Sequence, residues 1–398
     1  MQRLYPILRV TDSIDDLNLF FSNGQKSIVQ NNRRSPFQGL DKDVMLDKYG
    51  ADGPYNSSGS EGETTLTSWH QSFTQELLNQ AARAYGVAPE TVSHVGGFEN
   101  LIYGFRRDGR ELILRVTHSS HRSRELIESE LHFESYLAEG GVRAAKPVPS
   151  CSGGRTETVE AEDGYFTLAC FEQAPGGLVQ AGHPAWGPRL FEGWGEITGR
   201  MHKLARSYTA PADMTRRPDK DILTLDPAYL SHPDIALAYR RYVEVETRIN
   251  ALEPEQDGYG LCHRDLHHKN FFVHGETITA FDFDDCGYDY FVQDIAMAVY
   301  YASVLGDWAR PEADPKRVSE FANRFLDSFM NGYRREHELS SDWLKQLPLF
   351  VERRRCDLCM IFLQNAIAEP PSAAVREWLD RNLEQISRGN TLLDLPAK

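Results

Sequence analysis

The 398-residue chain is short of several things, and each shortage narrows what it can be. It has no apolar run approaching the ~20 residues needed to span a bilayer. Met1-Gln2-Arg3 opens no signal-peptide pattern, so a cytoplasmic protein without membrane contact is expected. Its six cysteines are scattered, which suits reduced thiols better than a disulfide framework. Cys356-x-x-Cys359 falls inside a helical pattern with no second pair, which makes buried packing the expectation there. Positive charge is also scarce: 43 Lys and Arg stand against 58 Asp and Glu, a net charge of −15. That balance argues against general nucleic-acid binding. An acidic surface attracts cationic small molecules, although it is more often simply a solvated face.

What the chain does have is His263-Arg264-Asp265-Leu266-His267-His268-Lys269-Asn270, with Asp282 twelve residues after Asn270. Phe271-Phe272-Val273-His274 and Thr277-Ile278-Thr279-Ala280-Phe281 read as two strands joined by a Gly275-Glu276 turn. Asn270 then enters a hairpin and Asp282 leaves it, which brings them together in space. Phosphoryl transfer needs such a set, with one carboxylate to orient a hydroxyl and two oxygen ligands for Mg²⁺. Asp265, with an ordinary carboxylate pKa of about 3.9, would start as a proton acceptor at neutral pH. His263, His267 and His268, near Cys262 and Cys286, lack the spaced pairs of a zinc site, so packing and hydrogen-bonding roles are expected.

With these motifs the sequence resembles the aminoglycoside phosphotransferase and choline kinase-like family of the protein-kinase-like superfamily. Phe281-Asp282-Phe283-Asp284-Asp285-Cys286-Gly287 is most similar to the branch of bacterial stress-response Ser/Thr kinases and type II homoserine kinases. The resemblance covers roughly residues 70 to 390. It implies an α+β, two-lobe fold: a small antiparallel β-sheet N-lobe with one main helix, then a larger, mainly helical C-lobe. It further implies that Asp265 is the catalytic aspartate and that Asn270 and Asp282 hold Mg²⁺ against ATP, Asp282 counting also as catalytic.

Upstream, His94-Val95-Gly96-Gly97-Phe98-Glu99-Asn100 precedes two strand-like runs separated by Asp108-Gly109, a strong hairpin signal. Glycines before the first strand let backbone N–H groups approach phosphates. The segment resembles the family's shortened glycine loop, which implies nucleotide contact by Gly96, Gly97 and Asn100. Arg115 stands where kinases place a lysine; it too binds phosphate and carboxylate, through a longer, forked side chain. Ser123 suits an N-cap, and Leu126, Phe133 and Leu137 share a helical face with Glu130. A carboxylate on an inward stripe needs a partner, so Glu130 is assigned to Arg115, with Glu134 as its rival. Tyr165 to Phe171 reads as a buried strand leading to a hinge at Glu172-Gln173-Ala174. Asp294, at the start of an apolar helix over 291–305, is expected to accept N–H groups of the catalytic loop.

The expected layout is a poorly ordered extension over 1–68, a nucleotide-binding N-lobe over 69–173 and a C-lobe over 174–398 holding the catalytic loop, metal site and acceptor pocket. The first expected helix runs from about Trp69 to Tyr85. The expected activity is ATP- and Mg²⁺-dependent transfer of the γ-phosphate to a hydroxyl of a small molecule such as an amino alcohol, sugar, choline or aminoglycoside. A stress-response-type Ser/Thr protein kinase is the runner-up. Against it stands the short gap between Asp285 and the helix at Phe291, too short for a peptide platform. A nucleotide-binding pseudokinase is a third reading, which Arg115 permits and the intact Asp265, Asn270 and Asp282 oppose.

Overall fold

A computed structural model describes residues 68–97, 99–219, 225, 227–254, 257–304, 314–368 and 370–395. The extension expected over 1–68, Ser68 aside, lies outside the described residues, as do Phe98 and Leu305.

Where one helix was expected from Trp69 to Tyr85, there are two, α1 (Ser68–Ser72) and α2 (Gln75–Ala84). The Thr74 hydroxyl caps the Leu77 N–H (3.4 Å) while the Thr74 N–H turns back to the Ser72 carbonyl (3.0 Å), so the local bonds that start α2 also end α1. Six strands follow, β1 (Ser93–Gly96), β2 (Leu101–Arg107), β3 (Arg110–His118), β4 (Pro147–Val148), β5 (Thr156–Ala161) and β6 (Gly164–Glu172). They form one antiparallel sheet in the order β1-β2-β3-β6-β4, with β5 also paired to β6. Asp108 and Gly109, both at positive φ (53° and 78°), make the expected tight turn between β2 and β3.

Strand alternation sets the chemistry of β3. Leu112, Leu114 and Val116 bury against Leu77, Ala81 and Tyr85, while Ile113 and Arg115, between them, line a cleft on the other face. Burying each such aliphatic side chain stabilises by about 1.5–3 kcal/mol, and a one-residue slip would drive Arg115 into that core. Helix α3 (Arg124–Glu139) begins at the Ser123 cap and packs Ile127 and Leu131 on Ala169 of β6. Leu126 is only half-buried, because this i, i+4 pair, and not Leu126, takes the sheet contact.

The second half is mainly helical. Helix α4 (Pro188–Ala205) buries Trp194, Ile197 and Met201, as its stripe requires, against α7 (Pro315–Tyr333). The two helices nearly touch: a Cβ added at Gly195 would stand 1.8 Å from the Phe329 carbonyl oxygen. Around them lie α5 (Pro233–Asn250), α6 (Val292–Val304), α8 (Ser341–Leu344), α9 (Leu347–Ala368) and α10 (Ala373–Ser387). Among the described residues no helix is long and apolar enough to cross a membrane.

Two short antiparallel pairs bring the conspicuous motifs together. β7 (Tyr259–Cys262) pairs with β10 (Gly287–Tyr290), and β8 (Phe271–His274) with β9 (Thr277–Ala280) through the expected Gly275-Glu276 turn. Residues 263–270 and 281–286 are therefore adjacent loops, tied by the Phe281 N–H to the Asn270 carbonyl (3.0 Å). The Ala145 N–H meets the Ala280 carbonyl (2.9 Å) and Val273 pairs with Gly177, so the hairpin seats itself against the segments entering and leaving the sheet.

Candidate active site

The loop between β7 and β8 is held in a strained form. Arg264 sits at φ 69°, in the left-handed region, a conformation that costs a non-glycine residue about 1–3 kcal/mol. Asp294, in the first turn of α6, offsets the strain by accepting the N–H groups of His263 (2.9 Å) and Arg264 (2.7 Å), as expected of it. Burial opposes the Asp294 charge, yet the hydrogen bond and charge of His202 hold its carboxyl below the usual range. His263 Nδ1 accepts the Asp265 N–H (3.3 Å), which leaves Nε2–H for the Phe281 carbonyl (3.2 Å) and links the two loops. His268, buried, is pushed down to about 3 by burial and so stays neutral.

Asp265 comes out of this loop a quarter exposed. Asn270 Nδ2 donates to both its main-chain oxygen and its Oδ2, each at 2.9 Å, leaving the amide oxygen of Asn270 for a cation. Asp282 is exposed at φ 68°, a second strained non-glycine residue, at the mouth of the same cleft. Burial and the carboxylates of Asp285, Asp282 and Glu99 push Asp265 well above the carboxylate range, with Arg354 opposing them. Its expected ordinary pKa is therefore revised, because surrounding acids and low solvent access disfavour its charge.

The cleft has a volume of about 230 Å³ and is lined by Gly97, Asn100, Arg115, Asp265, Asn270 and Asp282 among others. Gly96 and Gly97 take φ of 137° and 118°, and a Cβ on Gly97 would fall 1.9 Å from the Asn100 carbonyl oxygen, so only glycine fits. The Thr117 hydroxyl donates to Asn100 Oδ1 at 2.5 Å. Glu130 stands behind the cleft and grips Arg115 through two bonds of 2.7 and 2.8 Å. Burial opposes both charges, but this bidentate contact holds the guanidinium ionised and above its ordinary range. Arg115 Nε is buried without a partner. Glu134, the rival, is buried with both oxygens unpartnered.

Sequence reasoning passed over a second ring of charge. Asp284 Oδ2 meets His121 Nε2 at 2.7 Å, Asp285 Oδ1 meets Arg122 at 2.5 Å, and Arg122 also reaches Asp284 Oδ1 at 3.3 Å. Arg217 donates to the main-chain oxygens of Asp284 (2.6 Å), Cys286 (2.7 Å) and Leu126 (2.9 Å), joining the 281–286 loop to α3. The Asp284-Asp285 run was visible; the basic partners, over 60 residues away, left no local signal. His263 and His267 make hydrogen-bonding and ring contacts, His263 to the Phe281 carbonyl and His267 to Tyr301. The groups with metal-ligand spacing among the described residues are His202–Cys262–Asp294 and Glu99–His121–Asp284. In the first, Asp294 is engaged by the loop, and burial pushes the Cys262 thiol well up.

A lobe with a glycine turn at the cleft, a buried cation–carboxylate pair, and an Asp–Asn–Asp set at a hairpin is the arrangement of a protein-kinase-like phosphotransferase. The sequence profile of the phosphotransferase enzyme family matches residues 90–339, and the chain belongs to that family. Amicoumacin kinase of Bacillus subtilis (strain 168) is 36% identical over 284 residues, covering 70% of this chain and 82% of that protein. Among solved structures, amicoumacin kinase hAmiN in complex with AMP-PNP, Ca²⁺ and Ami superposes with a TM-score of 0.74 at 30% identity, covering 83% of this chain and 99% of that one. A microcompartment-associated aminopropanol kinase shares the fold with a TM-score of 0.62 at 23% identity, over 79% and 97% of the two chains. The protein is thus a small-molecule kinase with the two-lobe fold.

Proposed function

We propose that this kinase transfers the γ-phosphate of ATP, with Mg²⁺, to a hydroxyl of a polar small molecule of the amicoumacin class. The observation that carries the reading is the convergence of Asp265, Asn270 and Asp282 on one cleft with Gly97 and Arg115. Likeness to amicoumacin kinases in sequence and in structure supports the acceptor class and the use of a nucleotide with a divalent cation.

The donor set suits the metal: an amide oxygen on Asn270 and an exposed carboxylate on Asp282 are hard oxygen ligands, few enough for a small cation that keeps its waters. When bound, Mg²⁺ supplies charge neutralisation on the transferring phosphate. Residues 69–173 hold the nucleotide, with Gly96, Gly97 and Asn100 shaping the loop and Arg115, which lines the cleft, setting its positive charge towards the phosphates. Residues 174–398 carry the acceptor and the chemistry. There Asp265 takes the proton of the acceptor hydroxyl as the new O–P bond forms and the bridge to ADP breaks. In a loose transition state that step asks little basicity of Asp265, whose part is chiefly to position the hydroxyl.

The test is ATP consumption by purified protein with Mg²⁺, amicoumacin and a pooled panel of hydroxyl metabolites, with Asp265→Ala as control. Phosphorylated product that vanishes in the variant is expected. Tight nucleotide binding with no transfer to any acceptor in the panel would count against the proposal.

A further inference from the structure

The side of Asp265 away from the nucleotide cleft has its own construction. Asp265 and His267 line the cleft; Tyr301 of α6 and Arg354 of α9 meet them from outside it. Arg354 lies 3.9 Å from Asp265 Oδ1, with side-chain exposures of 20% and 25%, so both groups are open to a ligand. The Arg354 guanidinium is fixed by two bonds to the Tyr301 hydroxyl, Nε at 3.1 Å and Nη2, and lies 5.3 Å from that ring's centre. The His267 ring packs on Tyr301 from another side, 4.6 Å between centres.

The stripe continues along α9. Between Val351 and Asn365 the positions not fully buried are Arg354, Asp357, Ile361 and Gln364. Spacings of three, four and three put them on one face, a strip about 15 Å long at 1.5 Å per residue. Gln364 Nε2 is buried there without a hydrogen-bond partner. In-line transfer requires the attacking oxygen to lie opposite the leaving ADP, so the acceptor must reach Asp265 from this side.

We propose that the acceptor lies along this face of α9, and that the hydroxyl it offers to Asp265 is flanked by an oxygen acceptor on a neighbouring carbon. That oxygen belongs to a carboxamide, a carbonyl or a second hydroxyl, and receives a hydrogen bond from Arg354. The inference rests on the kinase reading above and deepens it. A guanidinium has five donors and no acceptor, so it welcomes such an oxygen and repels an ammonium group in the same place. Asp265 takes the hydroxyl proton, the O–P bond forms, and the electron pair of the broken P–O bond leaves on ADP. Arg354 takes part only by binding and orienting.

The experiment compares kcat and KM, with the full chain and MgATP, for a 2-hydroxy carboxamide, a vicinal diol and a 2-amino alcohol of matched size. The first two are expected to surpass the amino alcohol in kcat/KM by about tenfold or more, the worth of one charge-assisted hydrogen bond. Arg354→Gln should raise KM for the oxygen-flanked acceptors by about tenfold while KM for ATP holds. Arg354→Lys should recover part of that loss. If Arg354→Gln does not fold, Tyr301→Phe, which unpins the guanidinium, should shift acceptor KM in the same direction. An amino alcohol used as well as the carboxamide would overturn the inference. So would a variant that loses kcat with acceptor KM unchanged, since Arg354 would then serve only to support Asp265. Those results leave the kinase reading standing, whereas no transfer from ATP to any acceptor, amicoumacin included, would remove both.

Discussion

Arg115 and Glu130 meet inside the protein through two parallel hydrogen bonds, with 5% and 0% of their side chains exposed. A buried pair of this kind is costly to break and cheap to replace whole, because removing one partner strands the other charge. Glu130→Gln should therefore destabilise the fold by about 3–5 kcal/mol, read from denaturant unfolding. The double variant Arg115→Met, Glu130→Leu should cost clearly less than the sum of the single changes. Additive losses would mean that the two side chains are not coupled.

Glu134, one turn further along α3, is the opposite case. Burial, then the charge of Glu130, pushes its carboxyl well above the usual range, so it is neutral in the folded protein. An acid whose folded pKa is raised stabilises most below its unfolded value of about 4.3 and loses that contribution as pH climbs towards the folded value. Glu134→Gln should then gain on the wild type from about pH 5 upwards, reaching about 1 kcal/mol or more near pH 8. A stability difference that stays flat across this range would show that Glu134 is paired.

How much of this was readable beforehand follows the range of the interactions. Both hairpins and the Ser123 cap are local, and the order of turn and capping residues located them. Asn270 and Asp282 were joined correctly because only a two-residue turn and two strands separate them. Glu130 was preferred to Glu134 from periodicity, and the register of β3 against β6 made it so. The raised pKa of Asp265 was missed, since it depends first on burial and then on acids such as Asp285 and Glu99 that other loops bring to the site. Arg122, Arg217 and Arg354 were missed for the same reason: nothing near an arginine in sequence says which distant oxygen it will meet. The break between α1 and α2 was local but fell on one threonine within an otherwise helical pattern.

Asp265 and Asp282 should separate in a binding measurement, although loss of either should abolish turnover. Asp265→Ala removes the proposed acceptor of the hydroxyl proton and leaves the exposed Asp282 carboxylate in place. Titration calorimetry with a non-hydrolysable ATP analogue and Mg²⁺ should find affinity within about threefold of wild type for Asp265→Ala. Asp282→Ala should lose about tenfold or more, as one of the two proposed protein ligands to the cation is gone. Equal loss in both would contradict the division of roles.

Arg217 offers the sharpest test of how the site is assembled. Its single guanidinium bonds the main-chain oxygens of Asp284 and Cys286, in the loop that starts at Asp282, and of Leu126, one turn before Glu130 on α3. The loop that begins with the proposed metal ligand Asp282 and the helix carrying Glu130 are thus tied to one another by one side chain. A lysine has the charge but not the fork, and cannot reach three oxygens at once. Arg217→Lys should therefore resemble Arg217→Met more than wild type: each leaves buried carbonyls without donors, at about 1–3 kcal/mol apiece. If the clamp matters for catalysis as well as folding, the folded fraction of Arg217→Lys should need several-fold more Mg²⁺ for half-maximal rate, about threefold at least, with acceptor KM little changed. A Mg²⁺ requirement equal to wild type in a destabilised protein would confine Arg217 to holding the lobes together.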